Sequence, residues 1–252
     1  MGRAHEVRAA SMAATNARKS ALYMKASSEI YLAAKSGTPD PRENLALRSA
    51  IEKWKAQDVT REVIERAIAK AKGGSADSYE AGRYEAFGPG GTAIVINTLT
   101  DNNKRAFANV RAAVTHHGGT ISDRSGSAAF HFEDAGVIEF VGNDVDALTE
   151  TLILNEVDVK EVKQVEDNVI RVLVSPKELA KAKDVLNQNG VEKIDVAETK
   201  MIPVDVVDLD GEEKQKLKNL LDALDEVEDV QSVFHNANTV SYTHLTLPTK
   251  LE

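Results

Sequence analysis

The sequence predicts an α+β protein: an all-helical N-terminal domain followed by two ferredoxin-like, split-βαβ domains, one inserted in the other. Three observations carry this reading. Apolar residues recur at helical spacing through residues 9–72, and short buried runs replace that period after Gly91. One β-α-β-β-α-β series is then complete in itself, while the segments on either side of it need each other to close a sheet.

The elements follow in order. Residues 9–35 form an Ala-rich helix in which Tyr23, Ala26, Ile30, Tyr31 and Ala34 recur at spacings of three, four and seven, and "GTPDP" at 37–41 stops it. Leu47, Ile51 and Trp54 mark one face of a second helix. A third starts at Thr60 as N-cap, with Val59 and Ile64 placed as a hydrophobic staple, and runs inward through Ala67, Ile68 and Ala71. "KGGSADS" then reads as a flexible linker.

Beyond it, "TAIVINTL" reads as a strand, Phe107, Val110 and Val114 as a helix ending at Gly118-Gly119, and "SAAFHF" as a second strand. The complete unit comprises "VIEFV", a helix through Leu148 and Leu152, "VDVKEV", "NVIRVLV", the helix "SPKELAKAKDVLNQNG" and "KIDVAETKMI". The remainder reads β-α-β: "VDVVDL", a helix from Gly211 to Val227 and "VQSVFH". Its helix opens on an Asp210/Glu213 capping box and buries Leu217, Leu220, Leu221 and Leu224. The domains expected are 1–78 (helical, basic), 79–134 with 202–238 (discontinuous), 135–201 (inserted), and 239–252 as a non-native or disordered tail.

Composition narrows the function. With 252 residues and 42% hydrophobic content, the chain can fill real cores. It has no cysteine, which excludes disulfides and thiolate metal sites, and no run reaches the roughly 18 apolar residues a spanning helix needs. A cytoplasmic protein without membrane contact is expected. Residues 1–72 carry 14 Lys and Arg against 8 Asp and Glu, so they are net +6 while the rest is net −15. An acidic body repels phosphate polymers, and a basic segment docks on them.

The candidate chemistry is thin. Gly88-Pro89-Gly90-Gly91 resembles a phosphate loop, but its glycines precede a strand, no Lys follows, and Pro89 lacks an amide donor. It reads as a turn. His116 and His117 are adjacent, so on a helix they diverge by about 100° and cannot share a metal. His5, His131, His235 and His244 have no ligand-spaced partner, and no nucleophile elbow occurs. Paired carboxylates such as Glu133-Asp134 and Glu228-Asp229 read as solvated strand ends. No enzyme, metal or cofactor is expected.

Binding remains. Arg18, Lys19 and Lys25 lie on the first helix, Lys53 and Lys55 on the second, and Arg66, Lys70 and Lys72 on the third. Each could neutralise a phosphate in a salt-dependent contact. A second group, Lys104, Arg105 and Arg111, lies on the polar side of the helix spanning 102–117.

With these segments placed, the chain resembles the YebC/PmpR family, which includes bacterial regulators and mitochondrial translational activators. The matching stretches are "LRSAIEKWKAQDVTREVIERAIAKAKGG", "YEAFGPGGTAIVINTLTDNNKRAFANVRAAV", "GSAAFHFEDAGVI", "TKMIPVDVVDLD" and "LLDALDEVEDVQSVFHNA", spanning residues 42–238. "MGR", "EIYLAAKSGTPDP" and "AKGGSADSYEAGRYEAFGPGG" are closer to its YeeN-like branch. The resemblance implies the three-domain fold and no catalytic activity. At the N-terminus, "AHEVRAASMAATNARKS" lacks the Trp and several of the cations usual in the family, which leaves Arg3, Arg8, Arg18 and Lys19 to make contacts there.

Three functions follow from these readings. The first is a DNA-binding transcriptional regulatory protein that uses the basic helices, although no base-reading helix-turn-helix is evident. The second is a ribosome-associated translation factor that holds ribosomal RNA through the same helices. The third is an acidic protein-interaction module whose N-terminal charges are merely solvated. Charge alone does not separate DNA from RNA, because both present phosphate.

Overall fold

The structure, a computed structural model, describes residues 3–73, 79–166 and 168–238, with side chains from Thr15 onward except Asn16 and Ala17. Most of the linker and the whole 239–252 tail lie outside the described residues. The chain divides into two compact units, Met1–Ala129 with Val206–Glu252, and Phe130–Asp205. Each unit holds one four-stranded antiparallel sheet with helices, and the first also holds the N-terminal helices.

In the first unit, α1 (Arg3–Lys35) lies along α2 (Leu45–Ala56) and α3 (Arg61–Lys72). The predicted stripes meet in one core, where Ala26, Ile30 and Ala34 pack with Leu47, Ile51, Trp54, Val59, Ile64 and Ala67. Asn44 makes the corner. Its side chain accepts from Leu47 N at 3.0 Å, capping α2, and donates to the Ala33 and Thr38 carbonyls at 2.8 and 2.9 Å, closing the end of α1. Thr60 occupies the N-cap of α3 without a side-chain bond, so Val59 and Ile64 hold that start by burial.

The sheet of this unit runs β3-β1-β2-β8, with β1 Glu80–Phe87, β2 Ala93–Thr100, β3 Thr120–Ile121 and β8 Val230–His235. Helices α4 (Asn103–His116) and α7 (Gly211–Asp225) bury Val110, Val114, Leu217, Leu220 and Leu224 against Ile94 and Ile96 of β2. The Asp210/Glu213 capping box forms as the sequence predicts.

The second unit has the order β5-β6-β4-β7: β4 Phe132–Val141, β5 Val159–Glu166, β6 Val169–Val174 and β7 Ile194–Pro203. Helices α5 (Val145–Leu154) and α6 (Leu179–Gln188) cover Ile138, Phe140, Ile170, Val172 and Val174.

Two expected strand assignments change, and one strand that was not expected forms. "SAAFHF" is not a strand: Ala129–His131 is a short 3-10 turn, and Phe132 already belongs to β4. Its place in the sheet goes to β1, whose eight residues pair along the whole of β2 from Glu80↔Thr100 to Phe87↔Ala93. "VDVVDL" contributes only one bridge, Val207 to Ala237.

Contacts other than the linker join α1 to the rest of the first unit. Lys25 is 6% exposed and donates to the carboxylate and the carbonyl of Asp225 at 2.7 and 2.9 Å, which seats α1 on the C-terminal end of α7. Gln231 Nε2 donates to Ser28 Oγ at 3.1 Å beside it.

Candidate nucleic-acid interface

Two patches collect the predicted cations. On the helical part, Lys19, Lys55 and Lys72 are exposed, one on each helix, and none has an acidic partner among the described residues. Arg18 is half-exposed, with Glu226 at 3.9 Å. Lys53 is drawn onto Glu29 at 2.9 Å and over the Trp54 ring at 5.0 Å, while Trp54 Nε1 donates to the same carboxylate at 3.0 Å. Arg66 pairs with Glu62 one turn away at 2.7 Å, and Lys70 lies over the Tyr31 and Tyr79 rings at 5.8 and 6.0 Å. Arg3 and Arg8 lie on the helical backbone of α1, and their side chains are outside the described residues.

Lys25 does not join this patch, because burial against Asp225 removes it from solvent. Its partner stands 200 residues away, beyond the reach of any local pattern.

Arg105 stays half-exposed but is engaged by two acids. It bonds Asp229 at 2.6 and 3.2 Å and Asp101 at 2.8 Å. The bonds to Asp229, then Asp101, outweigh its partial desolvation and raise its pKa, so the guanidinium is fixed as a charged strut. Lys104 and Arg111 of the same helix stay exposed.

The Gly88–Gly91 turn has no phosphate-loop geometry. Pro89–Gly91 forms a 3-10 turn, and Gly90, at φ +65°, packs against Leu209 and Glu213 at the start of α7. An added Cβ at Gly88 would stand 2.9 Å from Ile94 and 3.4 Å from Leu220. The glycines allow helix and hairpin to approach each other.

Sequence reasoning missed Glu85. It is 7% exposed on β1, and its carboxylate accepts from Gly126 N at 2.6 Å, Ala128 N at 2.7 Å and Ala129 N at 3.0 Å. Burial pushes its pKa up, but the three amides, with Arg83 beside them, outweigh this and hold it below the usual carboxylate value. The signal would have been an acid in a strand whose neighbours alternate inward. No group of three or more His, Cys, Asp or Glu able to hold a metal occurs among the described residues, nor any helix long and apolar enough to cross a membrane.

Fold and surface together define a class: three-part α+β proteins with a basic helical bundle ahead of two small antiparallel sheet units. The chain belongs to the TACO1/YebC family. Residues 3–74 match its N-terminal domain, and residues 79–237 match its second and third domains. It is 47% identical over 239 residues to a protein of Mesoplasma florum named as a probable transcriptional regulatory protein, covering 94% of this chain and 99% of that one. Its structure is similar to the crystal structure of a conserved hypothetical protein from Aquifex aeolicus, with a TM-score of 0.73 and 34% identity over 87% of this chain and 90% of the other.

Proposed function

We propose that the protein is a cytoplasmic, non-enzymatic transcriptional regulatory protein that binds DNA through the exposed cations of α1, α2 and α3. The observation that carries this reading is the separation of charge. A net +6 segment sits on a chain that is otherwise net −15, and Lys19, Lys55 and Lys72 project from three different helices without acidic partners among the described residues. The name of the Mesoplasma florum relative supports transcription as the setting.

A second reading, a translation factor on ribosomal RNA, is favoured by the outer face of α3. Arg61–Glu65 and Arg66–Glu62 pair along it, so it offers phosphates a mixed surface rather than a bare row of base-reading donors. Such a surface suits recognition by shape and backbone.

Charge reversal separates the two readings. K19E/K55E should weaken binding and lower the salt slope by up to about 0.9 per lost contact on duplex DNA, or about 0.7 on single strands. K177E/K183E in the second unit makes the same change in net charge and should leave both nearly unchanged. Equal losses in the two variants would defeat the helical interface. A K19E/K55E loss confined to ribosome co-sedimentation, with no DNA binding by the unaltered protein, would place the function in translation.

A further inference from the structure

The outer face of α4 carries Lys104, Phe107, Ala108, Arg111 and Thr115, all exposed, at spacings that put them on one stripe opposite buried Ala106, Val110 and Val114. Phe107 is 40% exposed, and the Tyr84 ring of β1 stands beside it at 5.7 Å and 45°. The two cations bracket the aromatic pair, about 10 Å apart along the helix. No acid occurs from Asn102 to Ser122, although the body around that segment is strongly acidic. The acids at its N-terminal end are engaged: Glu80 accepts from Asn103 Nδ2 at 2.6 Å, and Asp101 holds Arg105 at 2.8 Å. Lys104 and Arg111 have no acidic partner among the described residues.

We propose that this stripe is a second nucleic-acid site that takes a single strand, stacking an unpaired base on Phe107 and Tyr84 while Lys104 and Arg111 hold the flanking phosphates. An exposed ring is of use to a base only when that base is unpaired, since a duplex keeps its bases stacked inside. Charge selects a nucleic acid over a protein, because every nucleotide supplies both an anion for Lys104 and Arg111 and a ring to stack on Phe107 and Tyr84. The second unit offers no such platform on its sheet, although Phe130 at its edge is 82% exposed with the His131 ring at 6.1 Å. The face of its sheet turned away from α5 and α6 carries Arg171–Glu139, Lys163–Glu161 and Lys200–Glu198 pairs and no aromatic residue. The inference stands independently of the helical interface.

The test uses the full chain and fluorescence anisotropy with labelled oligo(U) of about twelve nucleotides, next to duplex DNA of the same length. F107A should weaken oligo(U) binding about tenfold with an unchanged salt slope, and F107Y should preserve it. K104A/R111A should lower the slope by up to about 1.4. K19E/K55E should leave the F107A effect intact, which separates failure of this site from failure of the helical one. The proposal is overturned if the unaltered protein does not bind oligo(U), if F107A binds it normally, if F107Y loses as much as F107A, or if F107A weakens duplex binding equally. In each case the aromatic pair serves packing or a protein partner instead.

Discussion

Glu85 is an acid in the middle of a strand, where a solvated charge would be expected, yet it organises a loop. Its three amide donors come from Gly126, Ala128 and Ala129, so the segment crossing from β3 towards β4 is held over the sheet by one carboxylate. Only the ionised form accepts all three bonds well. The folded pKa lies below the unfolded one, so this stability is fully present above the unfolded value and is lost as pH falls through the folded value. E85Q should cost about 2–3 kcal/mol at neutral pH, because an amide nitrogen must face a backbone donor. The gap to the unaltered protein should narrow as pH falls in urea melts. A gap independent of pH would assign the loss to packing alone. Lys25 makes the complementary case of a cation spent on structure, where removing Asp225 would strand a buried ammonium without its partner.

At the level of elements, the hairpin turn and the start of α7 share one contact. Gly90 and Gly91 both have positive φ, at +65° and +77°, but a Cβ on Gly90 would strike Leu209 and the capping Glu213, whereas nothing lies within 4 Å of Gly91. G91A should therefore cost about 1 kcal/mol and G90A about 2–3 kcal/mol, compared by thermal melting. Equal costs would mean that α7 yields without loss. Helices were legible in the sequence because their information is local: α2, α3 and α7 lie where periodicity and caps put them, and the capping box forms with both bonds. Strands were legible only where burial made them continuous runs. "EAGRYEAF" alternates weakly and contains Gly82, so β1 owes its identity to β2, while the apolar pattern of "SAAFHF" answers instead to the distant Glu85. The site divides the same way. Exposure of Lys19, Lys55 and Lys72 followed from helical phase, whereas the burial of Lys25 and the pinning of Arg105 depended on residues 200 and 124 positions away.

At the scale of the whole molecule, the second unit contains its own reason to fold. Its strands pair only with one another in the order β5-β6-β4-β7, and its core of Ile138, Phe140, Leu152, Ile170, Val172 and Leu186 draws on its own two helices. We propose that Phe130–Asp205 expressed alone unfolds in a single cooperative transition, with a urea slope of about 1 kcal/mol/M. The shorter fragment 135–201 cuts into the edges of that design. It deletes the Phe132↔Pro203 and Glu133↔Ile202 pairs, leaves Met201 without Asp134, and takes away both Lys160 contacts, to the Glu133 carboxylate and the Asp134 carbonyl. Phe132 itself is 8% exposed. The shorter fragment should melt at a lower denaturant concentration than the longer one with a similar slope. A gradual, sloping loss of signal from the longer fragment would show that the unit depends on the rest of the chain. Coincident midpoints would show that the outer rows of β4 and β7 only carry the chain in and out.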